Sequence, residues 1–172
     1  MSRGARAPDD RQVRSPRAPF ADWPYHFEFR GVALAWICLE PKLIVTQTYI
    51  ETADVRGVHQ IQDWLDDLGK TSFVAKGERP VLLHDFRSVV RASSGVREAW
   101  LERSRRSDNP YEGSTGYCAL NIGVLGRVMA NTVALALQLT TQSNINFIDD
   151  PASILRKYRV STPTPDAVGA LR

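Results

Sequence analysis

Three places in this chain put polar, chemistry-bearing side chains where an apolar run gives way to a loop: His84-Asp85, Asn121 and Asp149-Asp150. In an open α/β sheet, ligands sit beyond the carboxyl ends of the strands, so acids that converge there can hold a metal ion or a phosphate. The alternative is local: strands end in something polar, and Asp caps the helix that follows. The stretch Asn121-Ile122-Gly123-Val124-Leu125-Gly126-Arg127 adds glycines at a strand-to-helix junction, where unpaired N–H groups can cradle an anion. It lacks the G-x-G-x-x-G spacing and the Lys-Ser/Thr of a phosphate loop, and close packing of a helix on the sheet explains its glycines more simply. Asp85, Asn121, Gly123, Asp149 and Asp150 therefore form the ligand-binding set of one reading, a small-ligand or metal-binding protein, whether a binding protein alone or an enzyme.

Covalent and metal chemistry find less. His26, His59 and His84 are scattered over three segments, and no serine or cysteine stands in the strand–turn–helix context that activates a nucleophile. Cys38 and Cys118 lie inside apolar runs without partners at metal-ligand spacing, so they are expected as small core thiols rather than a disulfide. No catalytic residue, metal or cofactor is assigned, and the chain is expected not to be an enzyme. The net charge is +3, from 22 basic and 19 acidic residues; five arginines and two aspartates of these fall in residues 1–19, leaving seventeen of each sign in the rest. A neutral body argues against dedicated nucleic-acid binding, which needs its basic surplus on the folded face. Arg97, Arg103, Arg105 and Arg106 are interleaved with Glu98 and Glu102, as on a solvated helix face. The start of the chain has no apolar signal region, and Ile122 to Leu139 is broken by Arg127, Asn131 and Gln138, so neither export nor a membrane span is expected and the location is read as cytoplasmic.

The elements that must position these residues follow from periodicity. Tyr25 to Phe29 alternates apolar and polar side chains, and Val32 to Leu39 and Leu43 to Tyr49 form a hairpin around Glu40-Pro41-Lys42. From Asp54 the apolar positions Val55, Val58, Ile61, Leu65 and Leu68 fall three to four apart, which predicts a helix capped by Thr52 or Asp54 and ending near Gly69. Pro80 to Phe86 reads as a strand buried on both faces, Gly95 to Ser107 as a helix, and Asp108 to Gly116 as a loop. Tyr117 to Ile122 is the next strand, Val124 to Thr140 a well-covered helix, Asn144 to Ile148 a last strand and Ala152 to Tyr158 a last helix. A hairpin followed by alternating strands and helices predicts one α/β domain over residues 20–160, with a mixed sheet that is parallel after the hairpin. Residues 1–19 are a flexible basic arm in this reading, and residues 161–172 a flexible tail.

The segment Asp85-Phe86-Arg87-Ser88-Val89-Val90-Arg91-Ala92-Ser93-Ser94-Gly95-Val96 combines a strand end, a loop and two serines with a glycine at a helix start. It resembles the loop of STAS domains, the anti-sigma factor antagonist family, in which a buried strand ends in Asp and an Asp-Ser-Ser-Gly-Leu-like stretch opens the next helix. Ala92 takes the place of the Asp before the serines, and Arg91 takes a position that is usually apolar. The order of elements from Tyr25 to Tyr158 is similar to that family, as is the run Phe147 to Ala152. The resemblance implies a STAS-like fold and a non-enzymatic regulatory module that binds a protein partner. It implies phosphorylation at Ser93 or Ser94, with Ser88, Arg91, Gly95 and Arg97 in the docking surface. A phosphate there would meet the unpaired N–H groups of a helix start, and its charge would alter docking.

Overall fold

Leu34, Trp36 and Cys38 alternate with Ala33, Ala35 and Ile37, and all six are buried. A strand buried on both sides needs cover on both sides of its sheet, and the chain supplies it from both ends. The computed structural model describes residues 16–24, 27–71, 73–74, 79–104, 106, 108–121 and 144–163. Strands β1 (Phe27–Phe29), β2 (Ala33–Cys38) and β3 (Leu43–Thr48) are followed by the short β4 (Thr52–Ala53) and helix α1 (Val55–Gly69). Then come β5 (Val81–Asp85), the short β6 (Arg91–Ala92), α2 (Val96–Ser104), β7 (Thr115–Ala119), β8 (Asn144–Ile148) and α3 (Pro151–Lys157).

Six strands form one mixed sheet in the order β1-β2-β3-β5-β7-β8, and β4 pairs with β6 apart from it. The first three strands are antiparallel, and β3, β5, β7 and β8 are parallel. On one face, Leu34, Trp36, Val45, Leu83 and Tyr117 pack against Ile154 and Leu155 of α3. Phe20 and Trp23 complete that cover: Phe20 stacks on Trp36 at 5.3 Å between ring centres, and Trp23 meets Trp36 edge-on at 5.9 Å. Lys157 pins α3 by donating from Nζ to the Tyr117 hydroxyl at 2.7 Å. On the other face, Ala33, Ile37 and Ile44 meet Ile61, Leu65 and Leu68 of α1. Val58 of α1 packs on Val96 and Ala99, which fastens α2 alongside.

The mixed sheet and the hairpin agree with the sequence expectation, and the differences have local causes. Asp54, not Thr52, caps α1, its carboxylate accepting from the Gly57 N–H at 2.8 Å, while Thr52 is drawn into β4. Gly69 is the last residue of α1, and a Cβ there would overlap the Pro110 ring. The described α2 stops at Ser104 rather than at residue 107. Just beyond it, Arg106 is held by Asp108 at 2.6 Å and by Asp66 at 3.2 Å. Strand β7 starts at Thr115, two residues before the expected Tyr117, because pairing of Leu82 with Gly116 and of Thr115 with Asn144 draws in Gly116, a weak strand former. Within the expected arm, Arg17 and Ala18 are tied into the fold: Arg17 Nη1 donates to the Arg87 carbonyl at 3.0 Å, and Arg87 Nη2 donates to the Ala18 carbonyl at 2.6 Å. At the other end, Val160 packs on the core. The helix expected over Val124 to Thr140, Gly123, residues 1–15 and residues 164–172 lie outside the described residues.

Phe20 is fully buried, so Phe20→Ala is expected to lower unfolding stability by ~3–5 kcal/mol, the usual cost of emptying a buried aromatic site. Urea denaturation monitored by tryptophan fluorescence measures it.

Candidate functional site

The loop between β5 and α2 is built by hydrogen bonds to the stretch just before α1. Val90 and Arg91 both donate their backbone N–H to the Glu51 carbonyl, at 2.8 and 3.0 Å, and the Ser93 N–H donates to the Ala53 carbonyl at 2.9 Å. This pairing forms β4 and β6 and fixes the backbone ahead of Gly95. Gly95 adopts φ +89°, and a Cβ there would also press on Val55 at 3.1 Å, so glycine is what lets the chain turn into α2 while seated on α1. The result displays Val90, Arg91, Ala92, Ser93, Ser94 and Arg97 to solvent. Val90 is 75% exposed, the one large apolar side chain so presented among the described residues. Ser88 is buried, because the turn closed by the Val89 N–H on the Phe86 carbonyl folds it inward.

The strand-end acids share an edge but not a site. Register sets Asp85 beside Ala119, and Ala119 beside Ile148, so Asp85, Asn121 and Asp149 all lie at the carboxyl edge of the sheet. Asp85, however, is committed. Its carboxylate accepts from Arg87 Nε and Nη2, each at 2.9 Å, from the Arg87 N–H at 3.1 Å and from Gln47 Nε2 at 2.9 Å. Hydrogen bonding to Asp85 in turn pushes the Arg87 guanidinium above its ordinary value. Asp150 caps α3, accepting from the Ala152 N–H at 3.0 Å. Asn121 and Asp149 are exposed. Among the described residues no group of three His, Cys, Asp or Glu side chains gathers as a metal ion would need.

A third feature was not singled out from the sequence. The side chains of Leu82, His84 and Phe86 alternate away from Leu83 and Asp85, and with Cys118, Phe147 and Trp100 they line a cavity of about 320 Å³ between the sheet and α1 and α2. His84 is 7% exposed. Its Nδ1 lies 2.7 Å from Thr46 Oγ1, and its ring packs near Phe86 and Trp100, at 5.8 and 5.7 Å between centres. Burial pushes its pKa down to about 4, which keeps it neutral at pH 7. Burial pushes the Cys118 thiol up to about 12, so it is no nucleophile at neutral pH. The alternation of Leu82, His84 and Phe86 was a visible signal, but the wall contributed by Trp100 and Phe147 depends on tertiary packing.

No protein-family model matches the chain, and no curated protein matches it. An uncharacterized protein of the DUF3478 family from Shewanella loihica PV-4, described as having a SpoIIAA-like fold, is similar in structure with a TM-score of 0.53. The match covers 78% of this chain and 99% of that one at 11% sequence identity. The fold is SpoIIAA-like. That agrees with the STAS resemblance of the Asp85 to Val96 segment and with the order of elements. No described helix is long and apolar enough to cross a membrane.

Two outcomes follow from this geometry. Asp85→Asn removes the charge that Arg87 bonds directly, leaving Asp150 as its other acid, and is expected to cost roughly 1.5–3 kcal/mol, the worth of a hydrogen bond to a charged group; urea denaturation checks it. The second concerns pH. An unfolded histidine titrates near 6.5, whereas His84 resists protonation in the fold until about pH 4. The unfolded chain therefore takes up a proton first as pH falls, and the stability that is complete above pH 6.5 declines between 6.5 and 4, by about 3 kcal/mol in all. Unfolding free energies at pH 7 and 4.5 should show the decline, and His84→Phe should remove most of it.

Proposed function

We propose that this chain is a non-enzymatic regulatory module that docks a protein partner through the surface at the start of α2, with Ser93 or Ser94 as the phosphorylated switch. The observation that carries the reading is the exposure of Val90, 75% accessible in a domain that otherwise buries its large apolar side chains among the described residues. An apolar side chain held outward by two backbone hydrogen bonds to Glu51 offers a contact whose ordering is complete before binding. Arg91 and Arg97 follow it in the chain, both exposed, and suit a partner with an apolar pocket and an acidic rim. Ser93 and Ser94 sit on the same surface, at the start of a nine-residue helix. A phosphate on either would bring negative charge beside those arginines and weaken their pull on an acidic partner.

The SpoIIAA-like fold supports the reading through its architecture. Cys38 and Cys118 are both free thiols, which fits a reducing compartment and a cytoplasmic location. In this reading the exposed Arg91 and Arg97 and the half-buried Gly95 belong to the docking surface, and the buried Ser88 supports the loop from inside.

The test is affinity purification from native lysate with the full chain and with Val90→Asp, Ser93→Asp and Ser94→Asp, alongside phosphopeptide mass spectrometry of the native protein. A specific partner should be retained by the wild type and depleted about tenfold or more by Val90→Asp, with the unfolding temperature unchanged because the site is exposed. Retention by all three variants at the wild-type level sinks the reading.

A further inference from the structure

The cavity between the sheet and helices α1 and α2 shares Arg97 with that surface, and its chemistry is specific enough to say what fits. Leu82, Phe86, Trp100, Cys118 and Phe147 give it a largely apolar lining, and its volume of about 320 Å³ is at the small end of the ~300–1,000 Å³ typical of small-molecule sites. Asp66 and Arg97 also border it with opposite signs, so the lining does not select an ion. Three polar side chains interrupt that lining: Gln62 Oε1 and Ser114 Oγ are buried without a hydrogen-bond partner among the described residues, and His84 presents its ring. The His84 ring has its Nδ1 occupied by Thr46, and its Nε2 has no hydrogen-bond partner among the described residues. A ring nitrogen so placed on the cavity wall is available to pair with a polar group of whatever the cavity holds. The neutral ring offers Nε2 as donor or acceptor according to which way the Thr46 hydroxyl points. A hydroxyl group, which both donates and accepts, meets either case.

We propose that this cavity binds a small, uncharged, ring-containing apolar molecule bearing one hydroxyl, with the rings against Phe86, Trp100 and Phe147 and the hydroxyl on His84 Nε2. The floor explains how space is kept for it. Gly116 faces the cavity between Leu82 and Ile145, and among the described residues a Cβ there would meet the Asn144 carbonyl oxygen and Ile145 Cγ1, each at 3.8 Å. Those are ordinary contact distances, so the described residues leave room for a side chain at this position, and the glycine keeps that room in the cavity.

The test uses the full chain with 2-naphthol and naphthalene as probes, followed by calorimetry and by amide chemical shifts. Binding should shift residues of β5, β7 and β8, and 2-naphthol should bind about fivefold more tightly than naphthalene, the worth of one neutral hydrogen bond. Gly116→Val should weaken both probes about tenfold or more by filling the site, while the unfolding temperature stays level or rises. His84→Phe combined with Thr46→Val, so that no hydroxyl is stranded, should make the two probes bind alike. The proposal is overturned if neither probe binds, or if Gly116→Val binds them as the wild type does. It is also overturned if Gly116→Val lowers the unfolding temperature sharply, the sign that residues 122–143 of the chain itself fill the space. Val90→Asp should leave probe binding unchanged, so failure here and failure of the docking surface are read separately.

Discussion

Two-sided burial of the β2–β3 pair is the constraint from which the rest of the architecture follows. All twelve residues of these strands are buried, and their backbone groups are satisfied only within the sheet, so each face needs its own layer of apolar side chains. On one side the layer comes from helices α1 and α2, which lie between consecutive parallel strands as right-handed connections require. On the other it is assembled from the two ends of the chain, Phe20 and Trp23 from the front and α3 from the back. The aromatic contact of Phe20 with Trp36 and the charged contact of Asp85 with Arg87 stand on that same face. A helix alone there would leave the Trp36 end of the sheet uncovered.

Most of this could be read from the sequence where the signal is local. The hairpin, the buried run ending in Asp85, the strand Asn144 to Ile148 and the amphipathic pattern of α1 each carry their period within a few residues, and each is found in place. What escaped depends on contacts distant in sequence. Gly116 is a poor strand former that becomes strand because β5 and β8 flank it. The β4–β6 bridge is two residues on each side and has no periodicity to detect. Arg17 looks like part of a solvated arm until Arg87 and Gln47 are placed beside it.

The candidate site was legible in the same uneven way. The serines at the head of α2 were visible as a motif, and the structure adds what a motif cannot: the outward Val90 and the inward Ser88. The acid of Asp85 was visible as a strand end, but sequence could not show that its carboxylate is already satisfied by Arg87, two positions further along, together with Gln47 from the neighbouring strand. Neighbouring residues of β5 thus take opposite parts. Asp85 closes the structure on one face while His84 leaves a nitrogen open on the other.

The tie between residues 17–18 and Arg87 also bears on how the protein is made. Arg17 and its partner Arg87 are 70 residues apart, so a chain emerging from the ribosome carries Phe20 and Trp23 long before the polar half of their anchorage has been synthesised. During that interval two large aromatic side chains near the leading end are only partly covered, an exposure that nascent-chain chaperones act upon. The front of the fold is thus the first part translated and among the last to be fastened.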